Sequence, residues 1–527
     1  MKRILQSVAV AGLAAVLTVS SLGAGKSPQE IKAAKQGVFY EIFVRSFADS
    51  DGDGIGDLNG ITAKLDYLQD LGVDGLWLTP IFASPSYHGY DVTDYYNVNP
   101  DFGTNEDLVK LLDEAHARNM RVILDFVANH TSSEHPWFLS ATTEADSPYR
   151  DYYTFVNEKN GDDFSVQDKS PWASQVWRPV NGSEGDYYYG IFDFAMPDLN
   201  YENPAVREEM KKAAQFWLQL GVDGFRLDAA IHVYGVHEKD VENAETSNIA
   251  WWSEFREACE EVNPTVYLVA EAWQSKTDFS AYAQCFDSRF NFDLEEDIIS
   301  AVHRGGKKSI YGNETLAGHL VLEQEKNTAV SADYIDAVFG SNHDQARIMD
   351  QVGNVDKAKL VANIYLTLPG NPFIYYGEEI GMRGQKPDEH IREPFKWSSD
   401  GSDMDTSWEE ASSNEKTQSL EELQADESDN IYNHYKDVIA LRKNNPALSQ
   451  GSLEAFDTSS TKVLGYKRIS EDQTLIVLHN TIGQELTESS EDFVGATVLY
   501  DNGYGTIVDG DTITLPGQSM TILSCPQ

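Results

Sequence analysis

The chain is poor in cysteine, in basic residues and in long apolar runs, and each shortage closes off a class of explanation. Its 527 residues include only three cysteines, Cys259, Cys285 and Cys525. So odd and sparse a set implies no disulfide framework, which leaves stability to a packed core. Lysine and arginine number 40 against 85 aspartates and glutamates, a formal net charge of −45. Nucleic acid and anionic membrane both demand a basic footprint, so neither is an expected partner. Neutral substrates fit better, as does a salt-rich medium in which acidic surfaces stay solvated. The apolar run at residues 8–19 follows Lys2 and Arg3 and precedes the small residues Gly23, Ala24 and Gly25. It has about the ~7–15 residues of an export signal and is too short for a transmembrane helix. No second span and no cysteine near residue 25 suggest an anchor. Residues 1–25 are therefore expected to be a signal peptide on a secreted, monomeric protein. Internal repeats and low-complexity tracts are also missing.

What the chain does contain is ample core material, with 41% hydrophobic and 11% aromatic residues. From about residue 36 to 380, strand-like runs stand at 37–44, 75–80, 120–127, 223–228, 265–271, 336–341 and 371–377. A weaker one lies near 285–292. Between them come amphipathic stretches such as 105–119 and 203–221, which open at Asn105 and Asn203, residues suited to N-capping. Eight strands alternating with helices imply a parallel sheet, closed at this length as a (β/α)8 TIM barrel. Residues 131–195 follow the third strand, show little helical period, and are expected to sit over the barrel's active face as an inserted domain. Residues 383–430 form a second acidic excursion. The last stretch, 448–527, consists of short β-rich runs between Gly, Asp and Asn turns, the pattern of an all-β sandwich. The expected division is a signal peptide at 1–25, a barrel at 36–130 and 196–447, an insertion at 131–195 and a sandwich at 448–527.

Charged residues collect where these strands end. The third ends in DFVANH, giving Asp125, Asn129 and His130. The fourth ends in GFRLDAAIH, giving Arg226, Asp228 and His232. The fifth ends in Glu271, and the seventh runs into SNHD, giving Asn342, His343 and Asp344. Taken alone, Arg226 and Asp228 are equally well explained as a structural ion pair. Several acids, an arginine and histidines converging on one barrel face are harder to explain structurally. Buried like charges shift each other's pKa, a cost met mainly at functional sites.

These motifs, in this order, resemble the signature regions of the α-amylase family (glycoside hydrolase family 13). MPDLN (196–200) resembles a further signature, in the form carried by a subgroup intermediate between oligo-1,6-glucosidases and neopullulanases. HGYDVTDYYNVNPDFGT (88–104) is similar to the family loop after the second strand. The resemblance covers roughly residues 36–400.

It implies retaining hydrolysis of α-glucans, with Asp228 as nucleophile, Glu271 as general acid/base and Asp344 as the third acid that clamps sugar hydroxyls. Two such carboxyls act about 5–5.5 Å apart. Arg226, two residues before Asp228 and so on the same strand face, is placed to hold that carboxylate ionised. Glu271 needs apolar neighbours such as Trp273, and a nearby charge such as Asp344, to stay protonated. By the same resemblance His130, His343, Tyr90, Asp91 and His232 bind the substrate, and Asp388 and Arg392 reach an outer sugar. Ile231 stands where starch-acting relatives often carry lysine, while Ala229 resembles α-1,4-acting members. The activity implied is an α-amylase cutting internal α-1,4 bonds of starch and maltooligosaccharides. Exo-acting α-glucosidase, oligo-1,6-glucosidase and 4-α-glucanotransferase share the same machinery. A non-catalytic relative would have lost one of the acids, and all three are present.

A structural calcium ion is also expected. DSDGDGIGD (49–57) spaces Asp49, Asp51, Asp53, the Ile55 carbonyl and Asp57 as in the first nine positions of a calcium loop, with Gly54 at the sharp turn. Position twelve is Gly60 instead of glutamate. Hard oxygen ligands suit Ca2+ over Zn2+. A second calcium, held by Asn129, Asp198 and the His232 carbonyl, is implied by the resemblance alone.

Overall fold

Eight short parallel strands form the centre of the molecule. The computed structural model describes residues 27–144, 146–162, 164–235, 241–502 and 505–526, so the expected signal peptide lies outside the described residues. The strands are β1 (Phe39–Ile42), β2 (Gly75–Leu78), β3 (Arg121–Phe126), β4 (Gly224–Leu227), β5 (Tyr267–Ala270), β6 (Ser288–Arg289), β7 (Ala337–Phe339) and β8 (Asn371–Tyr375). They pair in the order β6-β5-β4-β3-β2-β1-β8-β7, and a single parallel bridge between Phe290 and Ala337 closes the ring. All eight coincide with the expected runs, including the weak sixth.

The register explains how the barrel fills. Phe39 pairs with Gly75 and Phe373, Trp77 with Ile123, and Asp125 with Arg226. Alternate residues point inward, so each strand contributes a column. The lower layers are apolar: Phe39, Trp77, Ile123, Tyr267, Val269, Phe290, Phe339 and Phe373 pack as one buried cluster. Gly75 makes room there, because a Cβ would come within 2.5 Å of the Phe39 ring. Two residues further along the same columns the side chains become charged: Glu41 above Phe39, Asp125 above Ile123, Arg226 above Gly224, and Glu271 above Val269. The charged end of the barrel therefore begins where the apolar filling stops.

The connecting helices bury their apolar stripes against the outside of the strands. Asn203 caps the helix Pro204–Gln219 through the Ala205 N–H. The other capping expectation is off by one residue. Thr104, not Asn105, caps the helix Asn105–Ala117 in a reciprocal box with Asp107, and Asn105 is drawn instead to the Tyr96 carbonyl and the Val98 N–H. Residues 131–195 hold the helix Pro136–Thr143 and a three-stranded antiparallel sheet. Beyond residue 450 come two antiparallel sheets, of five and three strands. They enclose Phe456, Val463, Ile476, Leu478, Ile513 and Leu523, while the other face of the larger sheet packs into the barrel's core through Tyr466, Val477 and Ile522. Cys259, Cys285 and Cys525 are all free. No described helix is long and apolar enough to cross a membrane.

Candidate active site

At the carboxyl ends of the strands one guanidinium gathers three acids. Arg226 is buried and meets Asp125 through Nη1 at 3.0 Å, Asp228 through Nη1 at 2.5 Å, and Glu271 through Nη2 at 3.0 Å. Its plane also lies over Trp77, 5.2 Å from the ring centroid, and the Trp77 indole N–H donates to Asp125 at 3.3 Å. The expectation of one arginine serving one carboxylate was thus too narrow. One positive charge faces three largely buried acids, and it cannot balance them all.

The protonation pattern follows from that shortfall. Burial pushes Asp228 up to about 6 against the pull of Arg226, and does the same to Asp125. Burial likewise raises Glu271; Arg226 opposes the shift, while Asp228 and Asp344 add to it. Asp344 behaves oppositely. Burial alone would raise it, but His343, Arg392 and Arg226 hold it far below the usual carboxylate range. It takes 2.9 Å from Arg392 Nη2 and 3.1 Å from His343 Nε2.

His343 is enclosed completely. Its Nδ1 meets Glu41 at 2.5 Å, and its Nε2 meets both Asp344 and the Tyr90 hydroxyl, the latter at 2.6 Å. Burial favours the neutral ring, yet Asp344 and Glu41 outweigh it and raise His343 to about 10. His343 therefore stands behind the cavity wall as a cation between two acids, and it does not line the cavity. Glu41, its inner partner, went unnoticed in the sequence because it sits inside an apolar strand with no motif around it.

Of these groups, Asp228, Glu271 and Asp344 reach the wall of a cavity of about 720 Å³. Tyr90, His130, His232, Asp388 and Arg392 line it with the three acids. The Tyr90 ring stacks on His343 at 5.5 Å, and its hydroxyl donates to Asp125 at 3.0 Å. Burial lowers His130 to about 4, so the ring is neutral, and its Nε2 faces the Tyr90 carbonyl at 3.0 Å. Asp388 sits 3.6 Å from Arg392. Asp91 is not on the wall. Its carboxylate accepts from Ser84 at 2.7 Å and from Ser86, so it shapes the loop that presents His88 and Tyr90. His88 takes the wall position instead; the motif quoted it, but its neighbours drew the assignment.

The insertion supplies wall residues that had no periodic signal. Trp172 stacks on Phe192 at 5.2 Å, and both rings meet His232 edge-on. Ile231 and Trp273 continue this apolar side. Trp273 is itself stacked on Phe292 at 4.6 Å.

The candidate calcium residues divide. Carboxylate oxygens of Asp49, Asp51 and Asp57 lie within 4.8 Å of one another, the donor set a hard cation needs. Asp53 stands outside this group, and its carboxylate accepts the Ile55 N–H at 2.8 Å. Gly54 has φ +94°, and a Cβ there would strike Ser407 Oγ at 2.6 Å. At the second site Asn129 Oδ1 is buried without a partner. Asp198 is buried and accepts the Ile191 N–H at 3.0 Å, and the His232 carbonyl accepts from Gly235. An orphaned amide oxygen near a buried carboxylate fits a cation.

Comparison with known proteins agrees with the geometry. Residues 41–451 match the model of the alpha amylase catalytic domain. The chain is 46% identical to "Alpha-amylase 3" of Dictyoglomus thermophilum, over 85% of each chain. It is 34% identical to a 4-alpha-glucanotransferase of Thermotoga neapolitana, over 85% of this chain and 96% of that one. Its structure superposes on the crystal structure of alpha-amylase from H. orenii with a TM-score of 0.84 at 42% identity, covering 93% of this chain and all of that one.

Proposed function

Since the chain belongs to the α-amylase family of glycoside hydrolases, we propose that it is a secreted, calcium-stabilised α-amylase that cuts internal α-1,4 bonds of starch-like glucans with retention. The observation that carries this reading is the single guanidinium of Arg226 shared among Asp125, Asp228 and Glu271, with Asp344 held ionised opposite them.

The shared charge sorts the acids. Asp228 has the closest contact to Arg226, 2.5 Å, and that contact opposes the upward push of burial and favours the carboxylate that attacks. Glu271 is held more loosely and feels both Asp228 and Asp344, so it keeps the proton. In the first half-reaction Asp228 Oδ bonds to the anomeric carbon as the glycosidic C–O bond breaks, and the Glu271 proton goes to the departing oxygen. In the second, Glu271 takes a proton from water while the hydroxide displaces Asp228. Two inversions give retention. Asp344, fixed between His343 and Arg392, accepts from sugar hydroxyls and favours the cationic ring of the transition state.

Trp172, Phe192, Ile231 and Trp273 give the leaving side an apolar wall, where a lysine would have offered a charge. Stacking there suits a sugar face. Calcium at Asp49, Asp51 and Asp57 would neutralise carboxylates next to the helix Leu58–Ala63, which Asp57 caps; its contribution is to stability, not to bond cleavage. Incubation with soluble starch and with isomaltose tests the reading. Early loss of iodine staining with mixed maltooligosaccharides is the expected result. Glucose alone, isomaltose cleavage, or chains longer than those supplied would shift the assignment to a glucosidase or a glucanotransferase.

A further inference from the structure

Beside the cleft lies a second cavity of about 670 Å³. One chain segment separates the two: Trp273, Gln274 and Ser275 line the first, and Lys276, Thr277 and Asp278 line the second. Arg289, the last residue of β6, lines the second cavity and is only 9% exposed. Its guanidinium lies over Phe279, 5.4 Å from the ring centroid, and its Nε is buried without a hydrogen-bond partner. Asp293, Glu323 and Asp336 act on it only through space, and among the described residues none forms an ion pair with it. Asn327, 2% exposed on the same wall, has an amide nitrogen equally buried and unpartnered.

A buried donor left unmade is costly, and a charged one more so. The Arg289 guanidinium makes no hydrogen bond among the described residues, and a charged donor without an acceptor on a cavity wall points to a ligand that brings one. An anion is disfavoured, because Asp278, Asp293, Glu323 and Glu325 share the wall with Arg289, Lys276, Lys326 and His319. A neutral molecule with many hydroxyls can use both kinds of neighbour. The dividing segment is also held in place: Lys276, at φ 62°, donates its N–H to Asp293 at 3.2 Å.

We propose that this cavity is an accessory α-glucan-binding site, taking a neutral oligosaccharide segment whose hydroxyls accept from the Arg289 guanidinium and donate to Asp293 and Glu323. The inference rests on the α-glucan reading of the neighbouring cleft. A long chain engaged at both cavities gains effective concentration at the reacting one; a substrate short enough to fill only the cleft gains nothing.

The test compares soluble starch with a chromogenic maltotrioside on the full chain. Arg289→Gln should raise KM on starch by about tenfold or more, the worth of one lost charged hydrogen bond, and leave the maltotrioside kinetics within about twofold. Leu322→Trp, at a 43% exposed position on the cavity rim, should do the same by filling the space without disturbing the core. If Arg289→Gln misfolds, Leu322→Trp decides alone. Starch kinetics of Leu322→Trp equal to wild type, or parallel losses on both substrates, would overturn the proposal. Retardation in native gels containing amylopectin needs no turnover and separates the two readings. Wild type retarded, Leu322→Trp not retarded and no starch cleavage would keep the site and remove the amylase; cleavage with equal retardation of both would do the reverse. Neither cleavage nor retardation would remove both.

Discussion

Ala229 donates its backbone N–H to Glu271 Oε2 across 3.0 Å, and it does so from a left-handed backbone at φ 47°. An L-residue held there costs roughly 1–2 kcal/mol. The residue directly after the proposed nucleophile is thus spent on fixing the proposed acid. Strand β4 delivers Asp228 and, one residue later, turns to orient the group that works with it.

Glu271→Gln keeps the shape of that contact and removes the proton. Hydrolysis of starch should fall by about 10²–10⁴-fold, the usual share of a general acid. An aryl maltoside with a good leaving group should lose much less, because its first step needs no protonation. Equal losses on both substrates would contradict the assignment.

Arg226→Lys replaces a planar fork by a point charge that cannot span Asp228 and Glu271 together. The kcat should drop by at least about 100-fold. The unit charge is kept, but a lysine drawn among Asp125, Asp228 and Glu271 holds Asp228 less closely than the guanidinium does; Asp228 then binds its proton more tightly, so the acidic limb of the kcat/KM profile should move to higher pH. A limb that stays in place would show that Arg226 is only a structural partner.

Chelation should lower the melting temperature, and added calcium should restore it. The structure makes the prediction finer: Asp51→Asn, inside the carboxylate cluster, should weaken the calcium response more than Asp53→Asn, outside it. Equal effects, or none, measured by thermal unfolding across calcium concentrations, would remove the site.

Glu378 is buried beneath the barrel wall and accepts from Ser341, Tyr365 and Tyr435 at 2.7, 2.9 and 3.1 Å. Burial pushes it up to about 8, against ~4.3 in an unfolded chain. The folded state keeps a proton that the unfolded state releases between those values. Its stabilising share is therefore complete below ~4.3 and is lost as pH climbs through about 8. Glu378→Gln cannot titrate, so its melting temperature should vary less between pH 5 and 8 than that of wild type. Parallel curves would refute this.

The sequence disclosed the barrel because buried parallel strands leave continuous apolar runs, and even the two-residue β6 lay inside one. It disclosed Asp228, Glu271 and Asp344 because their motifs are local and ordered. Groups whose role depends on burial behind another residue stayed hidden. Glu41 is one charge in an apolar strand, and only folding sets it against His343. Asp91 drew attention from its place in a motif, yet the fold turns it toward Ser84 and Ser86 and gives the wall to His88. Trp172 and Phe192 come from a segment without period, twenty residues apart in sequence, so nothing before folding marked them as a stacked pair.

The ring of strands is closed between β6 and β7 by one bridge, Phe290 to Ala337, where every other neighbouring pair shares at least two registered positions. In effect the barrel is a rolled strip with a lightly stitched join. Amide protons along that join should exchange with solvent sooner than those of β2 or β3, since opening there breaks the fewest ladder bonds. Arg289 lies one residue from the stitch. Breathing of the join would widen or narrow the second cavity while Arg226, two strands away on β4, stays in register.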